Sequence, residues 1–399
     1  MMRRLYTLFL VLAVVISSMA AGRDSYTVVV SLDGFRWDYV DTYDTHFLSV
    51  MGRNGVRAVM TPSFPSKTFP NHYTLATGLV PDHHGIIANQ FKMAKSGRIF
   101  SLGNDVARDG KKYGGDPLWL TAKHQGVTSA TVYWVGSDVA VQGDHANYWK
   151  DYNQKPLLTP DERVSEVIKL LKKPEDKRPH LVMAYFEQPD SHGHKYGPIS
   201  RPTRRAMEYM DSLMMELYKG LMELPIADDI NFIVTGDHGM TYLSPERVVP
   251  IKKYINSSWV DNICNDFPTL LYCKKPEYVD SCINALKNVD HLRVWRKGEC
   301  PEYLNYGNNE NMGDVIVLPD LGWKFTDGKV GLNTGSHGFD HTYSDMWVAF
   351  QAIGPDFKHG YQRKETFRNV CIYPLVCHLL GITPSPNDGS LDEVRDLLK

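Results

Sequence analysis

The sequence predicts an α/β fold: a mostly parallel central sheet with helices on both faces and a small inserted α+β subdomain. Three observations predict it. Residues 27–32, 180–186 and 230–235 are continuous apolar runs, rich in β-branched side chains, of the kind that fill parallel strands buried on both faces. Each run stops abruptly, at Asp33-Gly34, at Glu187-Gln188-Pro189-Asp190 and at Gly236-Asp237-His238, and helical patterns lie between them. From about 250 to 325 the pattern changes to short strands around one helix, with four of the six cysteines clustered between 264 and 300. A chain of 399 residues can bury the core such a fold needs.

In chain order, the first run ends at Asp33, just past the carboxyl end of a strand, where open α/β sheets bind ligands. Residues 56–60 make a short strand. In Pro65-Ser66-Lys67-Thr68-Phe69-Pro70-Asn71-His72, Pro70 stands where a helix would begin, 73–77 continue it and Gly78 ends it. Thr68 then sits at the helix mouth, where unpartnered N–H groups and the helix dipole favour an anion, although Thr is also a common N-cap. His83 and His84 share a Pro/Gly turn and read as surface and cap residues. Asp116 is expected to cap a helix with Pro117 at its first position. Residues 128–134 are β-rich, and 161–171 form an amphipathic helix with apolar residues at 164, 167, 168, 170 and 171. Asp190 and His194 are four apart, which brings their side chains together if that turn is helical. The methionine-rich helix at 203–222 reads as core packing. Within the insert, 269–273, 292–295 and 315–318 are strands and 276–287 a helix. Gly335-Ser336-His337-Gly338 precedes a strand at 346–353, and a helix near 370–380 closes the pattern.

Charge and composition narrow the function. Lys plus Arg number 44 against 46 Asp plus Glu, so no global field recruits nucleic acid or a membrane surface, and any anion must be held locally. Residues 1–20 combine two arginines, an apolar run at 5–16 and small residues Ser18-Met19-Ala20, the pattern of a cleaved secretory signal too short to span a bilayer. The expectation is a secreted or periplasmic protein with no transmembrane segment after signal removal. Such a compartment permits disulfides among Cys264, Cys273, Cys282, Cys300, Cys371 and Cys377, and the 264–300 cluster is where a stabilising bridge is expected. No spacing is CxxC, which argues against a cysteine zinc site. Cys371 and Cys377, six apart in a helix, cannot bond to each other without distortion.

Three strands therefore end at Asp33, at Asp190 with His194, and at Asp237-His238, and His337 precedes a fourth. This repeated placement puts the groups on one edge of one sheet. Carboxylates and imidazoles are zinc-type ligands. Two sets can be made: Asp190, His194 and His337 with an open place for water, and Asp33, Asp237 and His238 with the Thr68 oxygen. Two ions about 3.5–4 Å apart would clamp the attacking and leaving oxygens of an in-line phosphoryl displacement.

The motifs Ser31-Leu32-Asp33-Gly34, Pro65 to His72, Pro189-Asp190 with His194, Gly236-Asp237-His238-Gly239-Met240 and Gly335-Ser336-His337-Gly338 resemble the nucleotide pyrophosphatase/phosphodiesterase family of the alkaline phosphatase superfamily. They run in order from about residue 27 to Cys377-His378-Leu379-Leu380-Gly381. The resemblance implies an alkaline-phosphatase-like catalytic domain over 21–399, with its insert at about 250–325, and two Zn2+ per chain. It implies Thr68 as nucleophile, Asn89 on a non-bridging phosphate oxygen, and Phe69, Tyr152 and Tyr185 facing a nucleotide. His192 stands where the family usually has a small residue and competes with His194 as ligand; Lys195-Tyr196-Gly197-Pro198 keeps the family's frame and favours His194. The implied reaction runs through a covalent threonine intermediate, with helix-mouth N–H groups assisting Asn89. Its substrate would be a small nucleotide or phosphodiester, cleaved to a nucleoside 5′-monophosphate, with no stable nucleic-acid partner. A phospholipid or choline-phosphate diesterase of the same family is the rival. A zinc-bearing binding protein without turnover would require a lost ligand or nucleophile, and none is lost.

Overall fold

The computed structural model describes residues 25–101, 103–326 and 333–399; the signal expected at 1–20 lies outside the described residues. Among these, nine strands form the central sheet: β1 (Tyr26–Leu32), β2 (Val56–Thr61), β3 (Ser129–Val132), β4 (Tyr148–Lys150), β5 (Leu181–Phe186), β6 (Ile230–Thr235), β7 (Val348–Ile353), β8 (Tyr361–Gln362) and β9 (Phe367–Arg368). Their order is β8–β2–β7–β6–β1–β5–β3–β4, with β9 also pairing β2. Every pairing is parallel except those of β7, which runs antiparallel to both β2 and β6. The amino end of β7 therefore lies on the same sheet edge as the carboxyl ends of β1, β5 and β6. That reversal lets a residue preceding a strand, His337, meet residues that follow strands.

The continuous apolar runs become strands with no exposed face: β1, β5 and β6 are buried along their whole lengths. Alternate residues feed two separate cores. Val29, Leu181, Met183 and Ile233 face one, with α2 (Thr68–Thr77), α3 (Leu118–His124) and α7 (Ile372–Leu379). Val28, Val30, Val182, Phe186 and Val234 face the other, with α1 (His46–Asn54), α4 (Pro160–Leu171) and α6 (Arg201–Met222). The methionines of α6 at 207, 210 and 214 are fully buried there. α4 starts at a capping box in which Thr159 and Glu162 satisfy each other's backbone N–H groups.

Residues 260–319 form a four-stranded antiparallel sheet in the order Val260–Cys264, Thr269–Cys273, Val315–Pro319, Leu292–Arg296. Its helix Glu277–Leu286 covers one face, over Leu271, Val315 and Val317. Leu270, Tyr272, Ile316 and Leu318 on the other face join the main core, so the insert is seated against the body of the protein. Strand Val260–Cys264 was not expected, because its residues do not alternate in polarity. The expected disulfide is not formed: all six cysteines are free thiols, with the Cys273 and Cys282 sulfurs 4.0 Å apart. Two further expectations are corrected. His83 is exposed against Asp388, but His84 is fully buried, its Nδ1 accepting from Ile86 N–H and its Nε2 within 3.2 Å of the Pro70 carbonyl. Asp116 does not cap α3; its carboxylate accepts from Gln142 instead.

Candidate active site

β1 pairs with β5 and β6 so that Ser31 lies opposite both Tyr185 and Thr235, and the chain leaves all three strands at one level. The loops are then tied together. Asp190 N–H donates to the Asp33 carbonyl at 2.9 Å, and Gly34 N–H donates to Asp237 Oδ1 at 3.1 Å. Gly34 has φ +71°, and a Cβ there would sit 3.1 Å from Asp190 Cα, so the approach of these loops requires glycine. α5 (Asp190–Tyr196) starts at this junction and returns His194 to Asp190, Nε2 to Oδ1 3.4 Å, as the four-residue spacing predicts. His192 instead bonds Gln188 Oε1 at 2.7 Å, so His194 is the histidine of α5 that joins the site.

Two groups of possible cation ligands result, Asp190 with His194 and His337, and Asp33 with Asp237 and His238. They adjoin: the His238 and His337 rings stack with centroids 3.4 Å apart. Each histidine turns its Nδ1 to a backbone carbonyl, His194 to Gly335, His238 to Gly239 and His337 to Ser66, at 2.8–2.9 Å. That leaves Nε2 to face inward in all three, the arrangement of metal-ligating histidines. His194 and His337 thus point Nε2 at Nε2, 3.2 Å apart. Asp33 Oδ1, Asp190 Oδ1 and Asp237 Oδ2 are buried and make no hydrogen bond. Inward lone pairs and orphaned carboxylate oxygens are what a divalent cation in each group would satisfy.

The electrostatics agree. Burial, then repulsion from Asp237 and Asp190, holds Asp33 well above the usual carboxylate range. Burial also works to raise Asp237, but the attraction of His238 and His72 outweighs it and keeps that carboxyl below the range. For His238 burial is outweighed by Asp237, so it favours the imidazolium; its Nε2 lies 3.0 Å from Asp237 Oδ2, where a cation would take the place of its proton. Burial and the neighbouring His238, Lys67 and His194 push His337 well below the usual imidazole value, leaving a neutral ligand.

α2 begins at Thr68 with Lys67 as its N-cap residue, and Gly78 closes it in the left-handed conformation at φ +68°. Thr68 is therefore the first helical residue rather than the cap. Its Oγ1 lies 3.1 Å from His238 Nε2. Asn89 Oδ1 accepts the Phe69 N–H at 3.0 Å, which leaves Nδ2 to donate elsewhere and occupies one of the helix-mouth N–H groups expected to bind an anion. These residues open onto a cavity of about 670 Å³ whose wall includes Phe69, Tyr133, Tyr152 and Tyr185. Tyr152 is 37% exposed, its ring edge-on to Tyr133 at 5.5 Å and to Tyr185 at 6.4 Å. Tyr185 is buried, and its hydroxyl donates to Asp33 Oδ2 at 2.7 Å, so it supports a ligand as well as lining the cavity.

A family model described as type I phosphodiesterase / nucleotide pyrophosphatase matches residues 27–343. The chain belongs to this family. Human ectonucleotide pyrophosphatase/phosphodiesterase family member 1 is 34% identical over 390 residues, covering 94% of this chain and 42% of the relative. Venom phosphodiesterase 2 of Crotalus adamanteus is 33% identical over 403 residues, covering 95% and 48%. The chain thus spans about half the length of the curated relatives it matches. Murine ectonucleotide pyrophosphatase/phosphodiesterase 5, solved as an inactive threonine-to-alanine form in complex with AMP, superposes with a TM-score of 0.89 at 32% identity, covering 94% of this chain and all of that one. The human counterpart gives the same values.

Two buried residues of this family member were not singled out as site residues from sequence. His72, one turn after Thr68 on α2, sets Nδ1 2.9 Å from the Thr68 carbonyl and 3.3 Å from Asp237 Oδ2, and Ser31 Oγ lies 2.8 Å from its Nε2. Its helical spacing from Thr68 was a usable signal. Arg163 on α4 is 1% exposed; its Nη1 donates to the Tyr185 carbonyl at 3.0 Å and to Glu187 at 2.6 Å beneath the aromatic wall. An arginine on an amphipathic helix carries no local sign of that role.

Proposed function

We propose that this chain hydrolyses phosphodiester or pyrophosphate bonds of nucleotides, releasing nucleoside 5′-monophosphates, with two zinc ions and Thr68 as nucleophile. One observation carries the reading: Thr68 Oγ1 lies 3.1 Å from His238 of one ligand group, and His238 stacks on His337 of the other. Asp190, His194 and His337 would hold one ion, and Asp33, Asp237 and His238 the other. Such a pair, when bound, supplies activation of an oxygen nucleophile and neutralisation of the charge on the departing oxygen.

Thr68 Oγ1 attacks phosphorus, the bond to the leaving oxygen breaks, and the phosphoryl group remains on threonine as a diester until water cleaves it and restores the hydroxyl. Asn89, oriented by Phe69 N–H, donates Nδ2 to a non-bridging oxygen as charge grows there. The Tyr185 hydroxyl holds Asp33 in place, and His72 lies beside Asp237 with its Nδ1 3.3 Å from Oδ2. Phe69 and Tyr152 offer ring faces to a base. AMP bound to an inactive threonine-to-alanine form of the murine relative supports both the nucleotide and the threonine. Residues 1–20 and the venom and ectoenzyme relatives support export, and no described helix is long and apolar enough to cross a membrane.

Asp138 and Glu187 line the cavity beside Tyr133 and Tyr152, a setting that also suits a quaternary ammonium. A nitrophenyl nucleotide ester and nitrophenyl phosphorylcholine, offered to zinc-loaded protein, separate the two readings; faster turnover of the choline ester would reassign the substrate. Thr68→Ala is expected to abolish turnover of either while zinc content stays at the wild-type level. Wild-type turnover in that variant would remove Thr68 as nucleophile.

A further inference from the structure

We propose that the inserted subdomain positions the reacting hydroxyl, and that Lys67 acts through it as a positioning residue and not as a cation for substrate. The inference rests on the proposed function. Asp33, Asp190, Asp237 and His238 follow β1, β5 and β6 within four residues, and His194 is carried one helical turn beyond Asp190 by α5, so the sheet fixes them. Thr68 and His337 stand on longer segments between β2 and α2 and before β7. Those two segments are sewn to each other: His337 Nδ1 donates to the Ser66 carbonyl at 2.8 Å, and Ser66 Oγ donates to the Phe339 carbonyl at 2.7 Å.

The insert grips both segments. Lys67 Nζ, one residue before the nucleophile, donates to Asp266 Oδ1 of the insert at 2.8 Å. Phe267 packs on Phe339 with ring centroids 4.8 Å apart. Arg293 Nη1 and the Tyr303 hydroxyl each donate to Asp340 Oδ2 at 2.7 Å, three residues beyond His337. Asp340 is 2% exposed, so the insert reaches into the base of the His337 loop. Lys67 borders the cavity, yet its side chain is only 6% exposed and its ammonium is committed to Asp266. Its stem lies along Gly338, where a Cβ would come within 2.5 Å of Lys67 Cδ. A nearly buried ammonium that loses its carboxylate cannot stay where it is. It would draw the backbone of Thr68 with it, and misplacing a reacting group by about 1 Å can cost on the order of a hundredfold in rate.

The test is a cycle of Lys67→Met, Asp266→Asn and the double variant, assayed on a nitrophenyl nucleotide ester with zinc content measured in parallel. Each single variant should lose about ten- to a hundredfold in kcat with KM unchanged, and the double should be no worse than either. Lys67→Arg should recover most of the loss. A second arm needs no turnover: Arg293→Gln should weaken one of the two zinc ions in chelator competition and leave the other at wild-type affinity. The proposal is overturned if Lys67→Met raises KM at constant kcat, if the single losses multiply in the double, or if Arg293→Gln binds both ions as wild type does. Where Lys67→Met or Asp266→Asn does not fold, Asp266→Glu keeps the charge at an altered reach, and wild-type kcat in that variant overturns the proposal as well. A wild-type protein inactive on both nitrophenyl esters would sink the proposed function instead, while the zinc-affinity arm still reads the brace.

Discussion

Replacing Asp33 with asparagine should stabilise the metal-free protein and destabilise the zinc-loaded one. Without an ion, Asp33 is a buried carboxylate with one orphaned oxygen, facing the charges of Asp237 and Asp190. An asparagine can keep the bond from the Tyr185 hydroxyl through its oxygen and turn its amide towards Asp237, as a protonated Asp33 does. Relieving an unpaired buried group contributes roughly 2 kcal/mol. An unfolding entropy of about 2.1 cal/mol/K per residue gives about 0.8 kcal/mol/K for 399 residues, so Asp33→Asn should melt about 2–3 °C higher in chelator. Zinc at a thousand times its Kd stabilises by about 4 kcal/mol per ion, or about 5 °C each. The variant keeps one ion where wild type keeps two, so its melting point should fall below wild type when zinc is added. The pH dependence has a definite sign. Because the folded value of Asp33 is raised, the native state binds more protons than the unfolded chain above the ordinary carboxylate value, and wild-type metal-free stability falls as pH rises through that window. The gap between variant and wild type should therefore widen towards neutral pH. Circular-dichroism melts in chelator and in zinc, at acid and neutral pH, measure all of this. A variant that melts below wild type in chelator, or a wild type indifferent to zinc, would refute the reasoning.

Three further outcomes follow from the geometry. Asn89→Ala removes the side-chain donor proposed to meet a non-bridging phosphate oxygen and should lower kcat by about a hundredfold with zinc content intact, checked by steady-state kinetics and metal analysis. Tyr152→Ala should raise KM for a nucleotide ester several-fold more than for a plain bis-nitrophenyl phosphate, because the role proposed for the ring is contact with a base and not with the phosphorus. Burial pushes His84 down to about 3, so the folded state refuses a proton that the unfolded chain accepts near 6.5, and stability is lost as pH falls below that value. Between pH 7 and pH 5 this amounts to about 2 kcal/mol, which chelated wild type should lose and chelated His84→Gln should not, so the stability difference between them should change by that amount in denaturation curves at the two pH values.

The parts of the site that were legible are those where local pattern and function coincide. Continuous apolar runs marked β1, β5 and β6, and the residues that end them make up most of the two candidate cation-ligand groups. The Asp190–His194 pair was readable because one helical turn brings it together. The aromatic wall came only through resemblance. What stayed hidden depends on contacts distant in sequence: the antiparallel placement of β7, the short edge strand β4, and the reach of Arg163 from α4 to Tyr185 and Glu187. Short strands such as Gln90–Lys92 and Ile99–Ser101 bury too few residues to leave an alternating signature. His84 misled for a related reason: a turn context argues for exposure, and only tertiary packing under α2 reveals that it is buried.

The orientation of His194, His238 and His337 also explains how such a charged centre can fold without an ion. Each imidazole is oriented by a backbone carbonyl, and a backbone acceptor does not depend on the metal. The carboxylates repel one another, but His238 and His72 set positive or donor groups against Asp237, and the Tyr185 hydroxyl against Asp33 reduces the remainder. The proton on His238 thus occupies electrostatically the place an ion would take. Binding then becomes an exchange of a proton for a cation at a site already shaped, and its affinity should rise with pH as that proton is more easily lost. The cost left uncompensated at the centre without metal is carried mainly by the orphaned oxygens of Asp33 and Asp190. The cost of the metal-free centre and the chemistry proposed for the metal-bound one are therefore properties of the same few atoms.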